Sequence, residues 1–369
     1  FKQKTAYEIM PSLVGSEMCI RDSPYPVVGV ISPWNYPLIL SFLDAVPALL
    51  AGCSVIVKPS EVTPRFIEAV NQVLSDTVEL GAVVDVVPGT AATGNNLIDL
   101  VDAINFTGSV ETGRQVATRA ANQLKPAFLE LGGKDPAIVL ESADIERAAQ
   151  AILHCATVNT GQACFSIERV YVHEALASKF IDLISSLAEE ISLNTEDPAK
   201  GVIGPIISAK QIQVIDLHLK DARNKKASFL TGGTIEHHGG SWLRPTVVTD
   251  VDHSMLLMRK ETFAPIVPIM TFRKTSEAVY LANDSEYGLS AAVFGDLDKS
   301  EAVALKLDAG GIYCNDVDLI GSAHESAEKM SFKNSGLGGS RYGPEGITRF
   351  TRKQSVVFQH GSGVTIDDL

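Results

Sequence analysis

Long apolar runs are missing from this 369-residue chain. None reaches the about 18 consecutive residues that a membrane-crossing helix needs, so no membrane partner is expected. Basic residues are also scarce: 31 Lys and Arg stand against 44 Asp and Glu, a net charge of −13. A surface that neutralises phosphates needs clustered cations, so no nucleic-acid partner is expected. Cysteine is sparse and unpaired, five residues with no CxxC spacing, which predicts reduced thiols and a cytoplasmic setting. HExxH is absent, and His237-His238 lies in a glycine-flanked loop, "TIEHHGG". No metal site is expected. Internal repeats and low-complexity linkers are lacking too. What remains is an ordinary globular composition, 45% hydrophobic and 20% charged, long enough for two domains with separate cores.

One stretch fits nothing around it. "LVGSEMCIRDS", residues 13–23, has neither a helical nor a strand period and changes abruptly into "PYPVVGVISPW". It resembles the translation of a transposase adapter used to prepare DNA sequencing libraries. Residues 13–23 are therefore read as a foreign scar, and residues 1–12 upstream as a segment of separate origin. Cys19 drops out with them, leaving Cys53, Cys155, Cys164 and Cys314.

From Pro24 onward, short β-branched runs alternate with helical stretches. Strands are expected at 27–33, 54–59, 83–89 and 103–109, and helices at 38–52, 65–77 and 110–122. That alternation implies right-handed βαβ units and a parallel sheet covered on both faces. A second region starts near Leu131. There Asp144 opens a helix whose residues Ile145, Ala148, Ala149, Ile152, Leu153 and Ala156 keep the i, i+3, i+4 rhythm of a buried stripe. The fold class read from this pattern is α/β, a Rossmann-like parallel-sheet domain followed by a second α/β domain. The expected boundaries are 24–132, 133–332 and a closing segment 333–369, whose "KQSVVFQH" alternates like an edge strand.

Ligands of such sheets sit beyond the carboxyl ends of the strands, so the polar residues just after each apolar run matter most. "PWNYP" holds Asn35 between two prolines; taken alone it reads first as a turn Asn, and its amide also suits an oxyanion donor. "KPSE" offers Lys58 and Glu61, which suit ribose hydroxyls or a solvated ion pair. "FTGSVETG" puts Ser109 at a strand-to-helix turn where free N–H groups attract phosphate. Arg114-Gln115 stand where a P-loop needs Lys-Ser/Thr, which removes that reading. "LELGGK" places Glu130 at the end of an apolar run beside Gly132 and Gly133, where a ligand can approach the backbone closely. "NTGQACFSIERV" holds Cys164.

In this order, "PWNYP", "KPSE", "FTGSVETG", "LELGGK", "GQAC", "ETFAPIVP" and "FKNSGLGGSRYGPEG" resemble the aldehyde dehydrogenase superfamily, from about Pro24 to near His360. The 34 residues separating Glu130 from Cys164 agree with it. The resemblance implies Cys164 as nucleophile, Asn35 as oxyanion donor and Glu130 as general base. It implies Lys58, Glu61, Ser109 and Glu261 around a dinucleotide, Trp34 and Phe263 lining its cleft, and Gly132 admitting the nicotinamide. Ala264 stands where the family more usually has glycine, and Phe165 adds bulk beside the nucleophile.

The implied reaction turns an aldehyde into its acid through a cysteine thiohemiacetal and thioester, with hydride passing to NAD, or to NADP. Glu61 would repel a ribose 2′-phosphate, which favours NAD. The stretches 38–43 and 317–325 offer Leu, Ile and Phe but no Arg or Lys, which favours aliphatic or aromatic aldehydes over carboxylate-bearing ones. Alternatives are a coenzyme A-acylating relative, against which Glu130 argues, a cofactor-independent cysteine esterase or thioesterase, and a non-catalytic nucleotide-binding protein. Family members are homodimers or homotetramers and carry more residues before "PWN", so the chain is expected to be an N-terminally truncated piece.

Overall fold

The computed structural model describes residues 16–317 and 327–360. It contains two large sheets. The first has six strands in the order Gly336–Leu337, Ala127–Glu130, Ala103–Thr107, Val27–Ile31, Ser54–Lys58, Val84–Val86, all parallel except the antiparallel Gly336–Leu337 at one edge. Alternation along its strands sorts the core into two layers. Val28, Val30, Val55 and Val57 join one buried cluster, while Ile31, Ile104 and Phe106 join the other. Helices Phe66–Asp76 and Val110–Ala121 are among those that complete the layers. The α/β expectation for this region holds.

The second sheet has seven strands, ordered Gly311–Cys314, Ser290–Phe294, Asp135–Val139, Ile167–His173, Ile266–Phe272, Thr246–Thr249, Ser228–Phe229, again parallel but for one edge. It too is covered on both faces: Ala137 and Val139 face one cluster, Ile138 and Leu140 the other. The stripe beginning at Ile145 forms helix Ile145–Thr157, capped by Asp144, whose Oδ1 accepts from the Arg147 N–H at 3.1 Å.

Two local expectations need correction. The helix expected over 38–52 is two helices, Pro37–Phe42 and Ala45–Leu50. Pro47 has no N–H to give, and its ring crowds the carbonyl of Leu43, so the helix cannot run through. The break leaves Asp44 at the junction. The second correction concerns residues 13–23, which were assigned no period. From Ser16 the chain forms strand Ser16–Pro24, antiparallel to Thr351–Gln359. Such a ladder is made by backbone groups, which carry no trace of the periodicity used to find strands. It also supplies the edge partner that "KQSVVFQH" calls for.

No helix among the described residues is long and apolar enough to cross a membrane.

Candidate active site

The carboxyl ends of the first sheet's strands lie side by side, with Ile31 opposite Lys58 and Phe106, and Thr107 opposite Glu130. Asn35 follows strand Val27–Ile31 and Ser109 follows strand Ala103–Thr107, so four separate sequence stretches reach one rim. Cys164 arrives from the other sheet, just before strand Ile167–His173. One cleft joins them. Asn35, Glu130 and Cys164 line it, with Trp34, Ser109, Gly132, Glu261 and Phe263 alongside. Lys58 and Glu61 are outside this lining, at the end of the adjacent strand, and pair with each other at 3.0 Å. Lys58 is buried and Glu61 exposed.

The turn carrying Cys164 is held from several sides. Asn159, Thr160 and Gly161 all have positive φ, 50°, 60° and 68°. A β-branched residue there costs on the order of 1–3 kcal/mol and persists only where the surroundings insist on it. They do. Thr160 Oγ1 accepts from the Gly204 N–H at 2.8 Å and donates to the Gly204 carbonyl at 3.1 Å. A Cβ on Gly161 would meet the Ala264 carbonyl carbon at 2.3 Å, so only glycine fits. Gln162 Oε1 accepts from the Ile207 N–H at 2.8 Å.

This turn also grips Asn35. Its Nδ2 donates to the Gln162 carbonyl at 2.9 Å, while Asn159 Nδ2 donates to the Asn35 carbonyl at 3.0 Å. One amide hydrogen is thereby used to fix the side chain at the cleft wall, and an amide carries a second. The Cys164 thiol is half-buried at the foot of the cleft. Burial pushes it up to about 12; the charges of Glu130 and Asp135 add to this, and the cations Lys329 and Arg341 oppose it. Burial thus favours the protonated thiol in the free chain.

Glu130 Oε2 accepts from Ser331 Oγ at 2.7 Å. Ser331 belongs to the segment that returns to pair Gly336 with Glu130, and Ser335 Oγ from the same segment donates to the Gly132 carbonyl at 2.7 Å. Neither serine was assigned a role from sequence, although both lie near or within the quoted "FKNSGLGG" motif. Gln211, which also lines the cleft, belongs to no motif in the sequence; it sits in the first turn of helix Ala209–Asn224, and its Nε2 donates to the Thr262 carbonyl at 2.8 Å.

Glu261 Oε1 accepts from the Gly133 N–H at 3.1 Å. Burial and the nearby Glu168 charge push its carboxyl up to about 8. A Cβ on Gly132 would come within 2.5 Å of Glu261 Oε2, so in this structure Glu261 is the group that uses the room beside Gly132. Behind it, Lys134 Nζ and Glu168 Oε2 form a buried pair at 2.5 Å. The Glu168 carboxylate also accepts from the Thr262 and Phe263 N–H groups, both at 2.7 Å, and so anchors the loop that carries Glu261. Breaking one side of a buried pair costs about 3–5 kcal/mol, because the remaining charge stays in the interior. Lys134→Met is accordingly expected to lose that much stability in urea denaturation; a loss under about 1 kcal/mol would show the pair to be dispensable.

Aromatic rings bracket the cleft. Trp34 and Phe263 meet edge to face with centroids 5.5 Å apart, and Tyr36 stacks with Phe165 at 6.5 Å. The stretch 317–325 expected along the substrate tunnel lies outside the described residues beyond Val317.

The family model described as the aldehyde dehydrogenase family matches residues 2–356, a span that includes the residues set apart at the N-terminus. A solved structure from Anabaena variabilis, PutA, whose name makes aldehyde dehydrogenase a provisional assignment, is 51% identical. It superposes with a TM-score of 0.93, covering 96% of this chain and 76% of its own. A Methylomonas protein named 4,4′-diapolycopene aldehyde oxidase is 41% identical over 90% of this chain and 62% of its own length. A Mycolicibacterium smegmatis protein provisionally named succinate-semialdehyde dehydrogenase [NADP(+)] is 36% identical over 96% of this chain and 68% of its own. The chain thus spans about two thirds of the length of these curated relatives.

Proposed function

This chain belongs to the aldehyde dehydrogenase family, whose members oxidise aldehydes to carboxylic acids and pass hydride to NAD or NADP, and we propose that here Cys164 is the nucleophile, Asn35 the oxyanion donor and Glu130 the base. The observation that carries this reading is the single cleft lined by all three, each delivered by a different element. Cys164 gives its proton to solvent water, and the sulfur of the resulting thiolate bonds to the aldehyde carbon while the carbonyl π pair moves onto oxygen. The second N–H of the Asn35 amide and the Cys164 backbone N–H suit that oxygen. Collapse of the oxyanion expels hydride and leaves a thioester on Cys164. Glu130 then takes a proton from water, hydroxide adds to the thioester, and the carbon–sulfur bond breaks to give the acid and free Cys164.

A bound nicotinamide supplies the hydride acceptor, and the residues present suit one. The N-terminus of helix Val110–Ala121 opens at the cleft through Ser109, offering N–H groups to a phosphate. Trp34 and Phe263 give the cleft an aromatic wall, Glu261 stands beside Gly132, and Lys58 with Glu61 marks the adjacent strand end. We assign Glu61 to the ribose hydroxyls, where its carboxylate would repel a 2′-phosphate, and so favour NAD over NADP. For substrate we favour aliphatic or aromatic aldehydes, supported by Leu40 in the cleft and by the Tyr36–Phe165 stack beside it. The named substrates of the two curated relatives differ in just this respect, one apolar and one bearing a carboxylate.

The reading keeps the division at 24–132, 133–332 and 333–369, with residues 13–23 foreign in origin, a cytoplasmic setting for the free thiol, and assembly into a dimer or tetramer. Its test is NADH formation with short aliphatic, aromatic and carboxylate-bearing aldehydes, supplying NAD and NADP in parallel. Asn35→Ala is expected to lower kcat about 10²–10³-fold with little change in KM. A comparable rise in KM with kcat unchanged would instead make Asn35 a substrate-binding residue. Esterase activity that is indifferent to the dinucleotide would favour the cysteine hydrolase alternative.

A further inference from the structure

Asp44 sits in the interruption of the helix pair 37–50, in an otherwise apolar stretch, and is almost fully buried. Two guanidiniums from far along the chain close on it. Arg341 donates from Nε and Nη2 to its two carboxylate oxygens at 3.0 and 2.8 Å, and Arg349 Nη2 donates to Oδ1 at 2.6 Å. Burial alone would raise the Asp44 carboxyl, but the two cations outweigh it and hold the group below its ordinary range. Arginine stays charged in proteins. The cluster therefore carries two positive charges and one negative, an excess of +1 in the interior.

That excess points at the catalytic pair. Arg341 Nη2 also donates to Thr107 Oγ1 at 2.5 Å. Thr107 lines the cleft and is the direct ladder neighbour of Glu130. The Glu130 charge acts on both Arg341 and Arg349, and Arg341 acts on Cys164. With Glu130 ionised, the group of Asp44, Arg341, Arg349 and Glu130 sums to zero. Without it, a net cation is stranded in low dielectric.

We propose that Asp44, Arg341 and Arg349 form a fixed counter-charge beside the catalytic pair, with Arg341 as a positioning residue whose charge, partly offset by Asp44, governs the ionisation of Cys164. The inference rests on the nucleophile and base assigned above. Other groups facing Cys164 are Lys329, Asp135 and Tyr342; all three are kept in the variants that test the proposal, so they contribute equally to each.

The test uses the whole chain, without cofactor, and iodoacetamide as probe. The rate of Cys164 alkylation at pH 8, read by peptide mass spectrometry, follows the thiolate fraction. Asp44→Asn adds one net positive charge and is expected to speed alkylation about three- to tenfold; Arg341→Met removes one and is expected to slow it by a similar factor. The double variant restores the balance and is expected to return to within about twofold of the original chain. Buried Cys53 and Cys155 report folding in the same maps, since they stay unmodified while the core is intact. Should Arg341→Met label them, Asp44→Asn and the double variant still decide the matter. Two single variants that move in the same direction, rates that all stay within about twofold, or a double variant that tracks Asp44→Asn would overturn the counter-charge. If the alkylated chain keeps forming NADH, the nucleophile assignment fails and the inference falls with it. If alkylation abolishes NADH formation yet ignores the charge changes, the inference alone fails.

Discussion

Cys164→Ala is expected to lower aldehyde-dependent NADH formation by about 10⁴-fold or more, leaving no detectable steady state, because the first covalent bond of the reaction cannot form. The fold should survive. Cys164 is half-buried, and the turn around it is held by Thr160, Gly161 and Gln162 rather than by the thiol. Thermal unfolding should therefore match the original chain within a few degrees while activity disappears. Retained activity would end the proposed mechanism. The same thiol has a definite pH signature. Its proton is held up to about 12 in the free chain by burial, well above neutral pH. Alkylation by iodoacetamide should then rise about tenfold per pH unit from 7 to 9, since the value lies above that whole range. A plateau near neutrality would mean that the thiol is already activated, against the burial that raises it here.

Glu130→Gln is the second large effect. The amide keeps the size of the carboxyl and an oxygen for the Ser331 hydroxyl, but it cannot take a proton from water. Steady-state turnover is expected to fall about 10²–10⁴-fold, while a first stoichiometric burst of NADH persists. Intact-mass spectrometry should then find the chain heavier by one acyl group, located on Cys164. A burst that vanishes with the steady state would place Glu130 in the removal of the thiol proton instead. A variant as fast as the original would assign the base elsewhere, and the Ser331 contact would be merely structural.

How far the sequence leads can be judged from single residues. Val28, Val30, Val55 and Val57 announce a covered parallel sheet because β-branched residues at alternate positions must be buried on the same face. Ile152 and its neighbours announce their helix through period and Asp144 cap alike. Asn35, Ser109 and Glu130 stand directly after apolar runs, where strand ends put ligands, so their candidacy was local information. Pro47 was equally visible, yet the length of the apolar stretch around it outweighed a single residue, and one helix was expected where two exist.

Other features have no local signature at all. Asp44 looks like a stray charge until Arg341 and Arg349, about three hundred positions away in the chain, fold onto it. Ser331 gains meaning only when the return segment lies along Glu130. Ser16–Pro24 pairs by backbone groups that any sequence offers. The sequence by itself thus determined the periodic elements, their parallel sense and the residue types poised at the strand ends, because period, caps and turns act over a few residues. Only the tertiary structure decided which charges balance one another, what holds Glu130, and that burial pushes the Cys164 thiol up. Those are interactions through space, and their strength depends on the dielectric and the distances that packing alone creates.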